Sequence, residues 1–291
     1  MSRRELSVAG PEPILVASNQ TVPLEEMMVR EMLTEDEWAS YEREGYVRLG
    51  RVIDDEELAL LGQRIDDVML GTADIDYERT AMQLDSDPER GGKPGPQSKG
   101  HKGATLAYRK IQDLEYDEAY LAYMQKPLRR HICGRIYPGA KSIACFRAMF
   151  MNKPANEGTE LQWHQDRWSD LDRDPEITLW AALNDSTIAN GCIKIIPKSH
   201  GKLLNSDHGS GFLNQEQMDL LIAENEPKYL ELKAGEGVLL HNWMLHSSEI
   251  NSTDTPRRAF SVCYMDGATV SSRGNQFPMI FGEGALKLEA V

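Results

Sequence analysis

A chain of 291 residues that is 41% hydrophobic and 27% charged can bury one large core, and no apolar run approaches the roughly 18 residues of a membrane span. The formal charge is −14, from 32 basic against 46 acidic side chains. That excludes the basic footprint nucleic acid requires, and an acidic field would steer a cationic small molecule. Two basic residues near the N-terminus lack a following apolar core, and Cys133, Cys145, Cys192 and Cys263 lack paired spacing. A cytoplasmic protein with buried, reduced thiols is therefore expected.

In chain order, residues 1–32 read as an extension, with helical spacing of apolar side chains over residues 24–33. Thr34-Glu35-Asp36-Glu37 is a capping box that opens a helix ended by Gly45. The alternation of residues 46–50 predicts a strand. Asp54 and Glu57 then cap a helix with Leu58, Leu61, Ile65, Val68 and Met69 on its buried stripe. Residues 86–103 are rich in Gly and Pro and read as a flexible, lid-like loop, with His101 solvated within it. Strand-like runs follow at residues 106–111, 143–151, 177–183, 193–197, 230–232, 237–241 and 259–264. Helices are expected over residues 116–133, interrupted near Pro127, and over residues 215–225, capped by Asn214. Short strands between turn signals predict a mainly β fold with flanking helices, a sandwich or jelly roll. Residues 268–291 read as a C-terminal extension folding back across the barrel mouth.

The chemistry concentrates in Trp163-His164-Gln165-Asp166. At a strand end, the two-residue spacing sends His164 and Asp166 to one face. His246, 80 residues after Asp166, would complete a two-His, one-carboxylate triad, a metal site with open positions suited to non-haem Fe(II). His241, five residues before it, would face the other way on a continuous strand. Arg257 follows at the head of a strand, where a planar guanidinium can grip the far carboxylate of 2-oxoglutarate. Its neighbour Arg258 is the alternative if the register is off by one.

These residues, with Lys110-Ile111-Gln112-Asp113-Leu114, Met151-Asn152-Lys153-Pro154, Trp180-Ala181-Ala182-Leu183, Asn190-Gly191-Cys192 and Ile196-Pro197-Lys198-Ser199-His200-Gly201, occur in an order and spacing that is specific as a set. Over residues 33–267 the sequence resembles the phytanoyl-CoA dioxygenase family of Fe(II)/2-oxoglutarate-dependent oxygenases. The resemblance implies a double-stranded β-helix (jelly roll, cupin-like) domain holding Fe(II) through His164, Asp166 and His246. It implies 2-oxoglutarate bound by Lys110, Met149, Trp180, Ser248 and Arg257, with O2 consumed and succinate and CO2 released. Gln162, Trp163 and Trp168 flank the metal motif and are the candidates for contact with the organic substrate. The reaction implied is hydroxylation of an unactivated C–H bond in a small metabolite, a biosynthetic intermediate. The alternatives are ketone formation, ring closure or epimerisation, or a non-catalytic metal- or small-molecule-binding protein. Because Asp166 fills the position that halide occupies in halogenating relatives, no halogen transfer is expected.

Overall fold

Thr34 opens the first helix as its sequence requires. Its hydroxyl accepts from the Glu37 amide while the Glu37 carboxylate accepts from the Thr34 amide, capping α1 (Glu35–Glu44). Gly45 ends it with φ +80°, a left-handed turn that costs glycine little, and its carbonyl accepts from the His241 amide. β1 (Tyr46–Arg51) follows at once, then α2 (Asp55–Leu70), whose Asp54 side chain caps Glu57 and whose Leu61, Ile65, Val68 and Met69 are buried. The structure, a computed structural model, describes residues 29–87 and 90–288. Residues 24–28 of the expected N-terminal helix lie outside the described residues. Residues 29–33 are not helical, because Arg30 instead ties this segment to β1 through the Leu49 and Arg51 carbonyls and to α1 through Glu37.

Two antiparallel sheets follow from the short strands. The larger contains β1, β2 (Ala81–Leu84), β3 (Ser98–Lys99), β4 (Tyr108–Gln112), β5 (Ser142–Lys153), β7 (Ile177–Ala182), β10 (Glu236–His241) and β12 (Arg257–Asp266), in the order β1-β10-β7-β12-β5-β4-β2-β3. A last strand, β13 (Met279–Gly282), pairs with the start of β5. The smaller sheet runs β6 (Leu161–His164), β11 (His246–Ser248), β8 (Ile193–Ile195) and β9 (Lys228–Leu230). This is the mainly β jelly roll that the strand spacing predicts. Asn190-Gly191 makes a turn between β7 and β8, which belong to different sheets.

Strand alternation sorts side chains between two compartments. On β7, Ile177, Leu179 and Ala181 pack outward against α2, α3 (Glu118–Met124) and α4 (Pro127–Ile136), with Trp180 and Ala182 facing the smaller sheet. On β12, Phe260, Val262 and Tyr264 join the helices, so Arg257, Ala259 and Ser261 point the other way. β5 changes phase partway. Cys263 faces Arg147 and Tyr264 faces Cys145, so Phe146 is an extra, bulged residue. Cys145 therefore packs on the helix side while Arg147, two residues on, faces the space between the sheets.

Several expectations change. Residues 86–103 include the added strand β3 and an Asp87–Lys93 bridge, with Pro88 and Glu89 outside the described residues. None of the described residues in that segment lines the central cavity. His101 is not simply solvated: its ring bonds the Met69 carbonyl at 3.0 Å and packs against Tyr77 and Tyr108. All four cysteines are free and buried, as expected. Residues 268–288 do not enter the cavity lining either; besides β13, they run against the loop at Asp170–Asp172 through Val270 and Ser272.

The short 3-10 helix Leu114–Tyr116 buries Glu115, whose Oε2 has no hydrogen-bond partner. Burial pushes this carboxyl up to about 7, and Asp113 adds to the shift while its own amide and Arg79 oppose it. From the ordinary value of 4.5 to about 7, the unfolded chain surrenders the proton while the folded chain retains it. Stability therefore falls as pH rises through that window. Glu115→Gln is expected to match the parent near pH 4 and to exceed it by up to about 3 kcal/mol at pH 8. Denaturant melts at both pH values test this, and a gain independent of pH would contradict it.

Candidate metal centre and its cavity

β6 and β11 are adjacent antiparallel strands, and their register sets His164 directly across from His246. The ring of His164 directs Nδ1 to the Gln162 carbonyl (2.8 Å), and His246 directs Nδ1 to the Met244 carbonyl (2.9 Å). Both Nε2 atoms are thereby turned toward the same space, in the orientation that a second hydrogen bond gives a ligating histidine. Asp166 lies just past the end of β6, its amide bonded to the Asn242 carbonyl at 2.7 Å. One donor atom from each of His164, Asp166 and His246 lies within 4.8 Å of the others.

The charge states suit a cation. Burial, then the neighbouring His246, pushes His164 down to about 3, so its imidazole is neutral and the 3.8 Å approach to Asp166 is no ion pair. Burial would raise the Asp166 carboxyl, but the positive charges around it, that of Arg147 foremost, outweigh it and hold the group below its ordinary value. Two imidazoles and one carboxylate, with no fourth His, Cys, Asp or Glu ligand among the described residues, fit a divalent metal with open coordination positions.

The triad opens into a cavity of about 230 Å³ between the sheets. Lys110, Met149, Trp180, Ser248 and Arg257 all line it, as do Thr178, Leu240 and Ser261. Arg257 is 2% exposed, and its Nη2 donates to the Gly191 carbonyl at 3.2 Å. That carbonyl is placed by a turn with Gly191 at φ +79°, where any Cβ would lie 2.4 Å from the Glu249 carbonyl oxygen. Nε and Nη1 of Arg257 have no partner, and no carboxylate pairs with it among the described residues. Burial pulls this guanidinium down to about 10. A buried, half-satisfied cation is costly unless an anion completes it, so the residues present fit a dicarboxylate in this cavity. Lys110 is also drawn down, to about 8, by burial and then by Arg147 and Arg109.

The register ambiguity has a geometric answer. Arg258 alternates to the helix side and pairs with Asp66 of α2 at 2.8 Å, leaving Arg257 as the one that faces the cavity. Gln162 does not border the cavity: β6 carries an extra residue opposite β11 between Leu161 and His164, and Gln162 is exposed. Its neighbour Trp163 packs instead with Ile196, Leu213 and Leu245. Trp168 does line the cavity, fixed by its amide to Asp174 and backed by Phe146 at 4.3 Å between ring centres. His241 also reaches the lining, contrary to the alternation argument, because residues 242–245 leave the strand before His246 begins the next. Burial and then His200 push it down to about 4, so it is neutral.

Sequence reading missed three residues here. Gln165 is fully buried and bonds the Ser199, Lys202 and Trp243 carbonyls and the Leu204 amide, clamping the loop that carries Asp166. Its signal was its place inside the His-x-Asp motif. Arg147 and Arg167 both line the cavity. With Lys110 and Arg257 they make four cationic side chains against one carboxylate, Asp166. The acidic balance of the whole chain therefore does not extend to this cavity, whose lining is locally basic.

Residues 41–259 match the phytanoyl-CoA dioxygenase (PhyH) family. A mouse phytanoyl-CoA dioxygenase domain-containing protein 1 is 34% identical over 150 residues, 47% of this chain and 50% of that protein. A probable phytanoyl-CoA dioxygenase of Caenorhabditis elegans is 25% identical over 80% of this chain and 75% of its own. The match thus spans about half the length of the mouse relative. Among solved structures, EctD from S. alaskensis with 2-oxoglutarate and 5-hydroxyectoine superposes with a TM-score of 0.62 at 18% identity, covering 80% of this chain and 76% of that one. The carbocyclase SnoK from nogalamycin biosynthesis gives 0.61 at 18% identity, over 84% and 88%. At this identity the two structures share the fold.

Proposed function

The chain belongs to the phytanoyl-CoA dioxygenase family, and from that premise we propose that it is an Fe(II)- and 2-oxoglutarate-dependent oxygenase that hydroxylates a C–H bond of a small metabolite. The observation that carries this reading is one cavity holding both a His164–Asp166–His246 donor set and a buried, incompletely bonded Arg257.

Iron(II) with 2-oxoglutarate supplies the oxidising power that consumes O2 and releases succinate and CO2. The chain's own residues bind, orient and exclude. His164, Asp166 and His246 would hold the metal, their rings oriented by the Gln162 and Met244 carbonyls. Arg257 takes the far carboxylate of 2-oxoglutarate, and Ser248 and Lys110 line the same wall. Met149, Trp180 and Leu240 present apolar surface that keeps water from competing in the cavity. Asp166 occupies the third ligand position, which is why oxygen and not halogen transfer is proposed. Among the described residues no helix is long and apolar enough to cross a membrane.

The test is incubation of the iron-loaded protein with a cell-extract metabolite pool, 2-oxoglutarate and 18O2 in bromide-rich buffer. Succinate release and a product gaining one labelled oxygen are expected. A brominated product would overturn the reaction type, and equal turnover by a zinc-loaded, iron-free preparation would overturn the metal assignment.

A further inference from the structure

We propose that the organic substrate is an anion, and that Arg147 and Arg167 bind its carboxylate or phosphate beside the metal triad. This rests on the oxygenase reading above and adds the substrate class to it. Acidic side chains outnumber basic ones 46 to 32 in the whole chain, yet the cavity carries four cations to one acid. Iron(II) and dianionic 2-oxoglutarate offset each other, and Asp166 neutralises one of the four cations. An uncompensated positive field is left for the remaining ligand. Arg257, in contact with Trp180 and Gly191, is assigned the far carboxylate of the cosubstrate, so that group needs neither Arg147 nor Arg167.

The two arginines are placed to act. The Phe146 bulge turns Arg147 into the cavity, where its guanidinium lies 5.3 Å from the Trp168 ring centre and its side chain is 19% exposed. Stacking on an aromatic face orients the planar fork and leaves its edge available for an oxyanion. Its approach to Asp166, 3.5 Å, is an ion pair too long for a good hydrogen bond. Arg167 donates Nη1 to the Ser206 carbonyl, which anchors it, while its buried Nε has no partner. A role confined to steadying Asp166 would explain Arg147 but not Arg167. Arg147, Arg167 and Trp168 all line the cavity, so an anionic group held there has an aromatic wall available to it.

Protein loaded with Zn(II) and saturating 2-oxoglutarate, which does not turn over, is titrated calorimetrically with 3-phenylpropionate, phenyl phosphate and neutral 3-phenylpropanamide. At least one anion is expected to bind tenfold or more tightly than the amide without displacing 2-oxoglutarate, and the tighter anion identifies carboxylate or phosphate. Arg167→Gln should bring anion and amide close to parity, whereas Arg258→Gln, remote from the cavity, should leave the preference intact. Arg147→Gln should act like Arg167→Gln, with zinc affinity measured in parallel because of its contact with Asp166. Anion and amide binding alike, or not at all, while 2-oxoglutarate still binds, overturns the proposal and leaves the oxygenase reading standing. So does an anion that binds only in competition with 2-oxoglutarate. Failure of 2-oxoglutarate itself to bind would instead strike the oxygenase reading.

Discussion

Replacing His164 or His246 with Ala is expected to reduce succinate release by well over the roughly hundredfold that losing an outer-shell partner can cost, because each would supply one of the three protein ligands proposed for the metal. The fold should survive. Neither ring belongs to the helix-backed core, and the paired strands that carry them are held by backbone bonds unaffected by the substitution. His164→Ala does forfeit stacking on Phe212, whose ring centre lies 4.6 Å away, and should cost about 1–2 kcal/mol. Circular dichroism melts alongside succinate assays separate the two effects. Full activity in either variant would remove that residue from the ligand set.

Arg257→Ala should raise the 2-oxoglutarate requirement steeply. Losing a buried, charge-assisted contact costs about 2–5 kcal/mol, or from roughly thirtyfold to a few thousandfold in affinity. Arg258→Ala breaks a largely buried pair with Asp66 and should cost about 1–3 kcal/mol of stability, with little change in 2-oxoglutarate affinity. Binding isotherms of the two variants decide between them. A reversal would mean that Arg258 swings into the cavity in the liganded protein.

Much of this arrangement was legible because local rules and fold agree. Thr34, Asp54 and Asn214 cap the helices the sequence assigns them, since side-chain capping is a short-range interaction. His164, Asp166 and His246 converge because a His-x-Asp strand end needs only one neighbouring strand to finish the site. The parity of β12 likewise carries Arg257 to the cavity and Arg258 to the helices. What escaped depends on irregularity. One extra residue at Phe146 redirects Arg147, and another on β6 leaves Gln162 in solvent. Bulges have no reliable sequence signature, so alternation read across them loses phase. His241 was misplaced for a related reason, as a turn separates it from His246. The sign of the cavity was hidden because Lys110, Arg147, Arg167 and Arg257 are scattered through an acidic chain and meet only in the folded protein.

The most direct measurement needs no knowledge of the organic substrate. Under anaerobic conditions, 2-oxoglutarate is added to the Fe(II)-loaded protein while the visible absorption that reports chelation of iron by a 2-keto acid is followed. Saturation near a single equivalent per chain is predicted. Glutarate, which lacks the keto group, should give no signal, and His164→Ala should give none with 2-oxoglutarate. An unchanged spectrum in the parent protein, or equal binding of 2-oxoglutarate and glutarate, would contradict a metal centre at His164, Asp166 and His246 that receives 2-oxoglutarate.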